Sequence, residues 1–465
     1  MEEHSVAIIG GGPGGYAAAI RLQQYGIDAV VFEKDRLGGV CLNWGCIPTK
    51  ALVKVADLFS ELHHVEEFGL ALENPSLDYE KIYERKNQVV EKLVSGLEFL
   101  FKKRQIHVIK DTVTSIEKKG DSYSISTENS STHVSFVIIA TGSKPKELPT
   151  FKIDGTNILS SKDILKLQQL PKRLSIVGGG VIGCEFASIF AQLGVEVQIV
   201  EFLPQLISTE DEEISKRLAM ALKKSGIKIH LNTAVEAWKK ENSELVLNLS
   251  SGKEIATDKV LLSVGRMPVI DIKCENFDIA IERNAIIIND RFETNNRNLF
   301  AIGDVTAKMM LAHTASKQGL LTAEIIKNKI EKTDVKTDVL CYENIPRCTF
   351  TNPEIGSVGL TEVQAKEKYK DILIGKFPFS ANGKALGLGE TFGFVKTIAD
   401  NKSKKIIGMH IIGPEATELI AEGGIIVQSG MTIEDAVKIV YAHPTLSEAV
   451  IESIEDLEKM SIHSM

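Results

Sequence analysis

Cys41 and Cys46, in the stretch LGGVCLNWGCIPTK (37–50), are two of only six cysteines in a chain of 465 residues, and they stand five positions apart. Thiols this close are candidates for reversible disulfide chemistry, in which a thiolate attacks one sulfur of a disulfide and displaces the other. The spacing sets a condition. Residues five apart in an unbroken α-helix have Cα atoms about 8.6 Å apart, and a disulfide needs less than about 7 Å. A bonded pair therefore requires the segment between the cysteines to be unwound or sharply bent. Gly45, next to the second cysteine, and Gly38–Gly39 upstream fit that demand. Two unrelated buried thiols would also satisfy the spacing. A second group lies in HPTLSE, where His443 precedes a proline and Glu448 follows five residues later. By type these are an acid–base residue and a carboxylate able to orient it. Thr445 to Glu448 also reads as a capping box with Thr445 as N-cap, and His443 as a structural histidine. Cys184, Cys274, Cys341 and Cys348 have no partner at a telling spacing. No CxxC or His/Cys ligand pattern occurs, so no metal is expected.

The elements that would position these groups are announced by an internal repeat. VAIIGGGPGGYAAAIRLQQYGIDAVVFE (6–33) lies over LSIVGGGVIGCEFASIFAQLGVEVQIVE (174–201) without gaps, at a constant offset of 168. Each copy predicts an apolar strand, a G-x-G-x-x-G turn, an alanine-rich helix, a short turn at Gly26 or Gly194, and a second strand ending on Glu33 or Glu201. That β–α–β frame with its terminal acid is the dinucleotide-binding fingerprint. Gly10 and Gly178 allow the tight turn, Gly12 and Gly180 let the backbone approach a pyrophosphate, and Gly15 and Gly183 let helix and strand pack closely. The helix N-terminus supplies unpaired N–H groups for the phosphates, and the acid accepts hydrogen bonds from a ribose. The chain is expected to bind two dinucleotides. A 2′-phosphate would face the negative Glu201, and no arginine follows in VEFLPQLIST, so NAD is favoured over NADP at the second site. CLNWGC begins eight residues after Glu33. A thiol pair placed there suits a flavin, which exchanges two electrons with an adjacent disulfide, so the first site is assigned FAD and the second NAD.

Composition narrows the rest. The length suits about three domains. A hydrophobic content of 43 % with 25 % charged residues is ordinary for a globular protein. The net charge of −8 gives no reason to expect nucleic acid or an anionic membrane as partner. No run of about 18 apolar residues appears, and the N-terminus lacks a basic, apolar leader. Six cysteines are too sparse for a secreted disulfide framework, so a cytoplasmic location is expected.

Eight stretches together resemble the flavin-dependent pyridine nucleotide-disulfide oxidoreductases, most closely the dihydrolipoamide dehydrogenases among them. They are GGGPGGY with Glu33, GGVCLNWGCIPTK, IIATGSKP (138–145), GGGVIGCE with Glu201, LLSVGRMP (261–268), LFAIGDV (299–305) followed by LAHTASKQG, IPRCTFTNPEIGSVGLTE (345–362), and AHPTLSEAV (442–450). They follow the family's order and span essentially the whole chain. The resemblance implies an α/β chain of two Rossmann-like domains plus a C-terminal α+β dimerisation domain. Its parts would be an FAD-binding domain at 1–144 and 266–337, an NAD-binding domain at 145–265, and an interface domain at 338–465.

It also implies roles. Cys41 and Cys46 form the redox disulfide, with Cys41 exchanging with substrate and Cys46 facing the flavin. His443 acts as acid–base from the partner subunit of a homodimer, and Glu448 orients it. Lys50 pairs with Glu185 beside the flavin; Ala17 is the residue aligned with Glu185 in the first copy, which marks a specialised position. Thr141, Gly142 and Gly265 are cofactor contacts. Asp304 binds the ribityl chain, although a helix-capping aspartate would read the same. Leu311 and Ala312 bring a helix start near the flavin. Pro13 and Ile20 stand where glutathione reductases carry a serine and an arginine, and EKMSIHSM lacks the C-terminal thiols of mercuric and large thioredoxin reductases. Dihydrolipoamide on a lipoyl domain, supplied in trans because none precedes Val6, is therefore the expected substrate. A reductase of another disulfide and a non-catalytic flavin-binding subunit are the alternatives.

Overall fold

The apolar run Val6–Ile9 is buried throughout, as a strand covered on both faces demands. In the computed structural model, which describes residues 2–242, 244–333, 335 and 338–463, this run belongs to the central strand Glu2–Ile9 of one compact unit. Residues 1, 337 and 465, three bounds of the expected domain scheme, lie outside the described residues. The unit comprises Met1–Ala51, Glu80–Lys146 and Gly265–Tyr342. Parallel to the central strand run Ala29–Phe32 on one side and Ser131–Ile139 on the other, with Ile8 opposite both Val31 and Ile138. His107–Ile109 and Leu299–Ala301 extend the parallel set. Val113–Lys119 and Ser122–Thr127 add an antiparallel meander onto Ser131–Ile139.

Two helices of this unit, Pro13–Gln24 and Ala312–Glu331, lie backbone against backbone. A Cβ on Gly319 would fall 2.3 Å from the Gly14 carbonyl oxygen. Small residues at that crossing hold the first glycine turn and the start of the second helix in fixed register.

The second unit comprises Leu52–Tyr79, Glu147–Val264 and Glu343–Met465. Its parallel sheet orders Lys228–His230, Glu196–Val200, Arg173–Val177, Lys259–Leu262 and Ile158–Leu159. Arg173–Val177, the helix Val181–Gln192 and Glu196–Val200 repeat the β–α–β arrangement of the first unit, as the repeat predicts. A small antiparallel sheet of Val235–Glu241, Glu244–Leu249 and Glu254–Thr257 lies beside it in sequence, and a larger antiparallel sheet is made of Arg347–Thr349, Glu354–Gly359, Ile406–Gly413, Phe394–Asp400 and Ile372–Pro378, covered by the helices Ala416–Ser429 and Glu448–Glu455. A buried ion cluster ties the larger antiparallel sheet to the starts of two helices. Lys396 on the antiparallel sheet bonds Asp211 at 2.9 Å and Glu362 at 2.7 Å, and Asp211 also caps the helix Glu212–Lys224. A buried ammonium is tolerated only with such pairing.

Candidate active site

The cysteine segment meets the condition set by its spacing. Cys41 sits in the short helix Gly39–Trp44, and Cys46 opens a second helix, Cys46–Leu62. Gly45 breaks the chain between them at φ −142° and ψ −111°. A Cβ there would lie 3.0 Å from the Val40 carbonyl oxygen, a tight approach that favours glycine at the bend. Asn43 pins the first helix through the carbonyls of Leu37 (3.0 Å) and Gly39 (2.9 Å). The cysteines stand as two thiols. The hydrogen bond between them is the largest cause pushing the Cys41 thiol up; burial and the Cys46 charge add to it, and Lys50 opposes. Lys50 lies one helical turn beyond Cys46.

The same structure puts the first glycine motif against this segment, since a Cβ on Gly39 would fall 2.7 Å from the Gly12 Cα. Tyr16, in the first turn of the helix that follows, was not singled out by sequence. Burial and the nearby Cys41 and Cys46 push its phenol up, opposed by a hydrogen bond with Ser316.

The two glycine motifs share their backbone geometry. Gly10 and Gly178 take φ +108° and +107°. A Cβ on Gly15 or Gly183 would fall 1.9 or 2.1 Å from the carbonyl oxygen of Gly10 or Gly178. Glu33 accepts the Gly11 and Asp35 N–H groups, both at 2.8 Å. Glu201 accepts those of Gly179 (2.5 Å) and Leu203 (2.7 Å). Each carboxylate is thereby fixed at the end of its strand with lone pairs left for a ribose diol.

Gly12 and Gly180 differ in kind. Their φ values of −72° and −75° suit any residue. A Cβ on Gly180 would meet nothing within 4 Å, and one on Gly12 only the Gly39 Cα at 3.9 Å. Neither backbone strain nor protein packing demands glycine there, whereas a pyrophosphate lying on the backbone would. In the first unit Asn43 Oδ1 and Thr314 Oγ1 are buried without a partner, and the helix Ala312–Glu331 starts at Leu311 with no side-chain cap. The residues present fit two dinucleotides.

Asp304 does not cap that helix. It accepts the Ser143 hydroxyl at 2.5 Å, and Ser143 in turn accepts Arg266 Nε at 2.7 Å. Thr141 donates its hydroxyl to the Val269 carbonyl at 2.5 Å, and the Gly142 carbonyl accepts the Val269 N–H. Gly142 and Gly265 take φ +72° and +107° at the two ends of this crossing.

In the second unit Glu185 is buried and accepts the Phe350 N–H at 3.0 Å. His443 is 77 % exposed, and its Nδ1 lies 2.8 Å from Glu448 Oε1. With Nδ1 as donor, Nε2 is left as the base. The capping-box reading is half right. Glu448 Oε2 accepts the Thr445 N–H at 2.9 Å, but the Thr445 hydroxyl donates to Ala442, and the helix begins at Glu448 behind Ser447. The carboxylate thus serves both the turn and the imidazole. Burial opposes its ionisation, yet the Thr445 N–H, His443 and the charges of His443 and His463 hold it below the usual carboxylate range. His463 belongs to a tail that sequence reasoning missed: Glu452, one turn beyond Glu448, holds it at 2.5 Å.

A thiol pair beside one dinucleotide turn, a second such turn, and a carboxylate-oriented histidine define a nucleotide-dependent thiol–disulfide oxidoreductase. The chain belongs to the pyridine nucleotide-disulphide oxidoreductase family, whose profile matches residues 4–319 and whose dimerisation-domain profile matches residues 345–454. It is 38 % identical to a dihydrolipoyl dehydrogenase of Bacillus subtilis, over 99 % of this chain and 100 % of that one. Among solved structures, LpdA from Mycobacterium tuberculosis shares the fold with a TM-score of 0.88 at 22 % identity, over 98 % of this chain and 100 % of that one. RclA from Escherichia coli, an HOCl-induced flavoprotein disulfide reductase, gives 0.85 at 28 % identity, over 97 % and 99 %. The dimerisation domain supports a homodimer. Among the described residues no helix is long and apolar enough to cross a membrane.

Proposed function

We propose that this chain is a dihydrolipoyl dehydrogenase, oxidising protein-bound dihydrolipoamide with NAD as final acceptor. The observation that carries the reading is the bent cysteine segment set against the first of two matching nucleotide turns. FAD at Gly10–Glu33 and NAD at Gly178–Glu201 supply the two-electron carriers; the chain's own residues manage the thiols. His443 of the partner subunit, held by Glu448, removes a proton from the substrate dithiol. The thiolate attacks Cys41 of the oxidised pair, and Cys46 leaves as thiolate. The second substrate thiol then displaces Cys41, releasing the cyclic disulfide with both cysteines reduced. Lys50 supplies positive charge where the thiolate develops, and Glu185 is assigned as the carboxylate that pairs with it in this scheme. Thr141, Gly142, Asp304, Leu311 and Ala312 line the FAD site in this scheme, and Gly265 is a further cofactor contact at the end of the NAD-binding segment. FAD is held by 1–144 and 266–337, NAD by 145–265, and 338–465 forms the dimer interface. The lipoyl group arrives on a domain of a 2-oxo acid dehydrogenase or glycine-cleavage complex, in the cytoplasm.

The test is NADH formation from dihydrolipoamide, with NADP as alternative acceptor and glutathione disulfide as alternative substrate. Fast turnover with NAD alone is expected; turnover only with glutathione disulfide would contradict the reading.

The nucleotide assignment has its own test. Serine is a good N-cap and the backbone at Gly180 already has the N-cap conformation. Gly180→Ser is therefore expected to melt no lower than the parent while filling the space a pyrophosphate needs. NAD should bind roughly tenfold or more weakly, a loss of about 1.4 kcal/mol, measured by calorimetric titration beside a thermal melt.

A further inference from the structure

The turn 442–447, which carries His443, lies outside helix and strand, so hydrogen bonds must set its shape. Thr445 has every polar group engaged there. Its N–H donates to Glu448 Oε2 at 2.9 Å and its hydroxyl to the Ala442 carbonyl at 2.7 Å. Its carbonyl accepts Asn382 Nδ2 at 3.0 Å. The first two bonds stay within the turn and the helix it leads into; the third ties the turn to a distant part of the same unit. Asn382 is buried and fully committed. Its N–H donates to the Phe379 carbonyl at 3.0 Å, its carbonyl accepts the Leu386 N–H at 3.0 Å, and Oδ1 accepts the Ala385 N–H at 2.9 Å as N-cap of the short helix Gly383–Leu388. With Oδ1 facing an N–H and Nδ2 a carbonyl, the amide satisfies both in one orientation only. Phe379, three residues earlier, is wholly buried, which gives this support a rigid footing. On the other flank the Ser447 hydroxyl donates to Glu422 Oε1 at 2.5 Å, from the helix Ala416–Ser429.

We propose that Asn382 is a positioning residue for the acid–base pair: by holding the Thr445 carbonyl it fixes the turn that aims Glu448 at His443. The path is short. Thr445 follows His443 with only Pro444 between them, whose ring fixes its own φ. The Thr445 N–H holds one oxygen of the Glu448 carboxylate, and the other oxygen meets His443 Nδ1 at 2.8 Å. A carboxylate is planar, so a shift of Thr445 that drags Oε2 also turns Oε1 away from the ring. His443 is largely exposed, so little packing steadies the imidazole and its aim depends on the bonds of the turn. A general base gains its rate from being held where the proton will be. Asn382 supplies that hold from a buried support, acting through Thr445 and Glu448.

The inference rests on His443 being the base, and the experiment separates the two. Asn382→Ser keeps a good N-cap for the helix Gly383–Leu388 but is too short to reach the Thr445 carbonyl. The flavin-loaded protein is assayed for NADH formation from dihydrolipoamide and for dye reduction by NADH, beside a thermal melt. In Asn382→Ser the kcat for dihydrolipoamide is expected to fall roughly tenfold, with KM for dihydrolipoamide within about twofold of the parent's, since only the aim of the base has changed. Dye reduction needs no base and should keep the parent's rate. In a His443→Gln background the same substitution should change kcat by less than about twofold, because two residues acting through one path are not additive. Asn382→Asp matches the asparagine in shape and still caps the helix, but has no donor when ionised; it should show the same pattern if Asn382→Ser fails to fold. A folded variant with the parent's kcat, or one that loses the same factor with and without His443, would overturn the inference. Parent-like dihydrolipoamide oxidation by His443→Gln alone would overturn the reading beneath it.

Discussion

Cys46→Ser is expected to cut NADH formation from dihydrolipoamide by roughly 10³-fold or more, while the variant still folds, keeps flavin and reduces an artificial dye with NADH. The serine is nearly isosteric and stands at the start of the helix Cys46–Leu62, where hydroxyl residues are at home. What it lacks is a sulfur that can be bonded to Cys41 and leave as a stable anion. Dye reduction needs the two nucleotide sites and no thiol, so it separates loss of the pair from loss of the fold. Cys41→Ser should show the same pattern. Dye reduction lost in step with the physiological reaction would mean that the substitutions act on the cofactor site, against the account.

His443→Gln is expected to lower the same reaction by roughly 10²–10⁴-fold, and Glu448→Gln by a smaller factor, because an amide oxygen can still accept Nδ1–H without supplying the charge. The pH dependence carries a sign. The Glu448 carboxyl is held below its usual range, so the stabilisation of the ionised pair is complete above the unfolded value near pH 4.3. It is lost only as pH falls through the lower folded value. No limb of the wild-type pH–rate profile between about pH 5 and 8 is therefore expected from Glu448. Complementation tests the trans arrangement. Co-expressed Cys41→Ser and His443→Gln subunits should regain about a quarter of wild-type activity by random pairing in a two-fold dimer, since half the dimers then hold one intact site. If each site used its own histidine, no site would be intact and activity would stay at the level of the single variants.

Most of what these experiments address is written locally in the chain. The glycine turns are legible because a positive φ at Gly10 and close approach at Gly15 are demands that only glycine meets, and the repeat doubles that signal at Gly178 and Gly183. The break between the cysteines is legible more weakly at Gly45, whose φ is negative and where a Cβ would only crowd the Val40 carbonyl. The Arg266–Ser143–Asp304 chain was not legible. Its members stand 123 and 161 positions apart, and they meet only because the backbone crosses out of one unit and back beside its own exit. Nothing in SKP or GRMP specifies that pairing without the fold. Thr445 shows the converse: the capping-box letters are present, but the hydroxyl found the Ala442 carbonyl first. The remaining carboxylate–N–H bond then turns Glu448 toward His443.

The most direct measurement is disulfide mapping of the flavin-loaded protein through one half-reaction and back. The account predicts a Cys41–Cys46-linked peptide in the oxidised protein, its disappearance on anaerobic addition of dihydrolipoamide, and its return on addition of NAD but not NADP. A pair that stays unlinked throughout, while dihydrolipoamide still yields NADH, would contradict it.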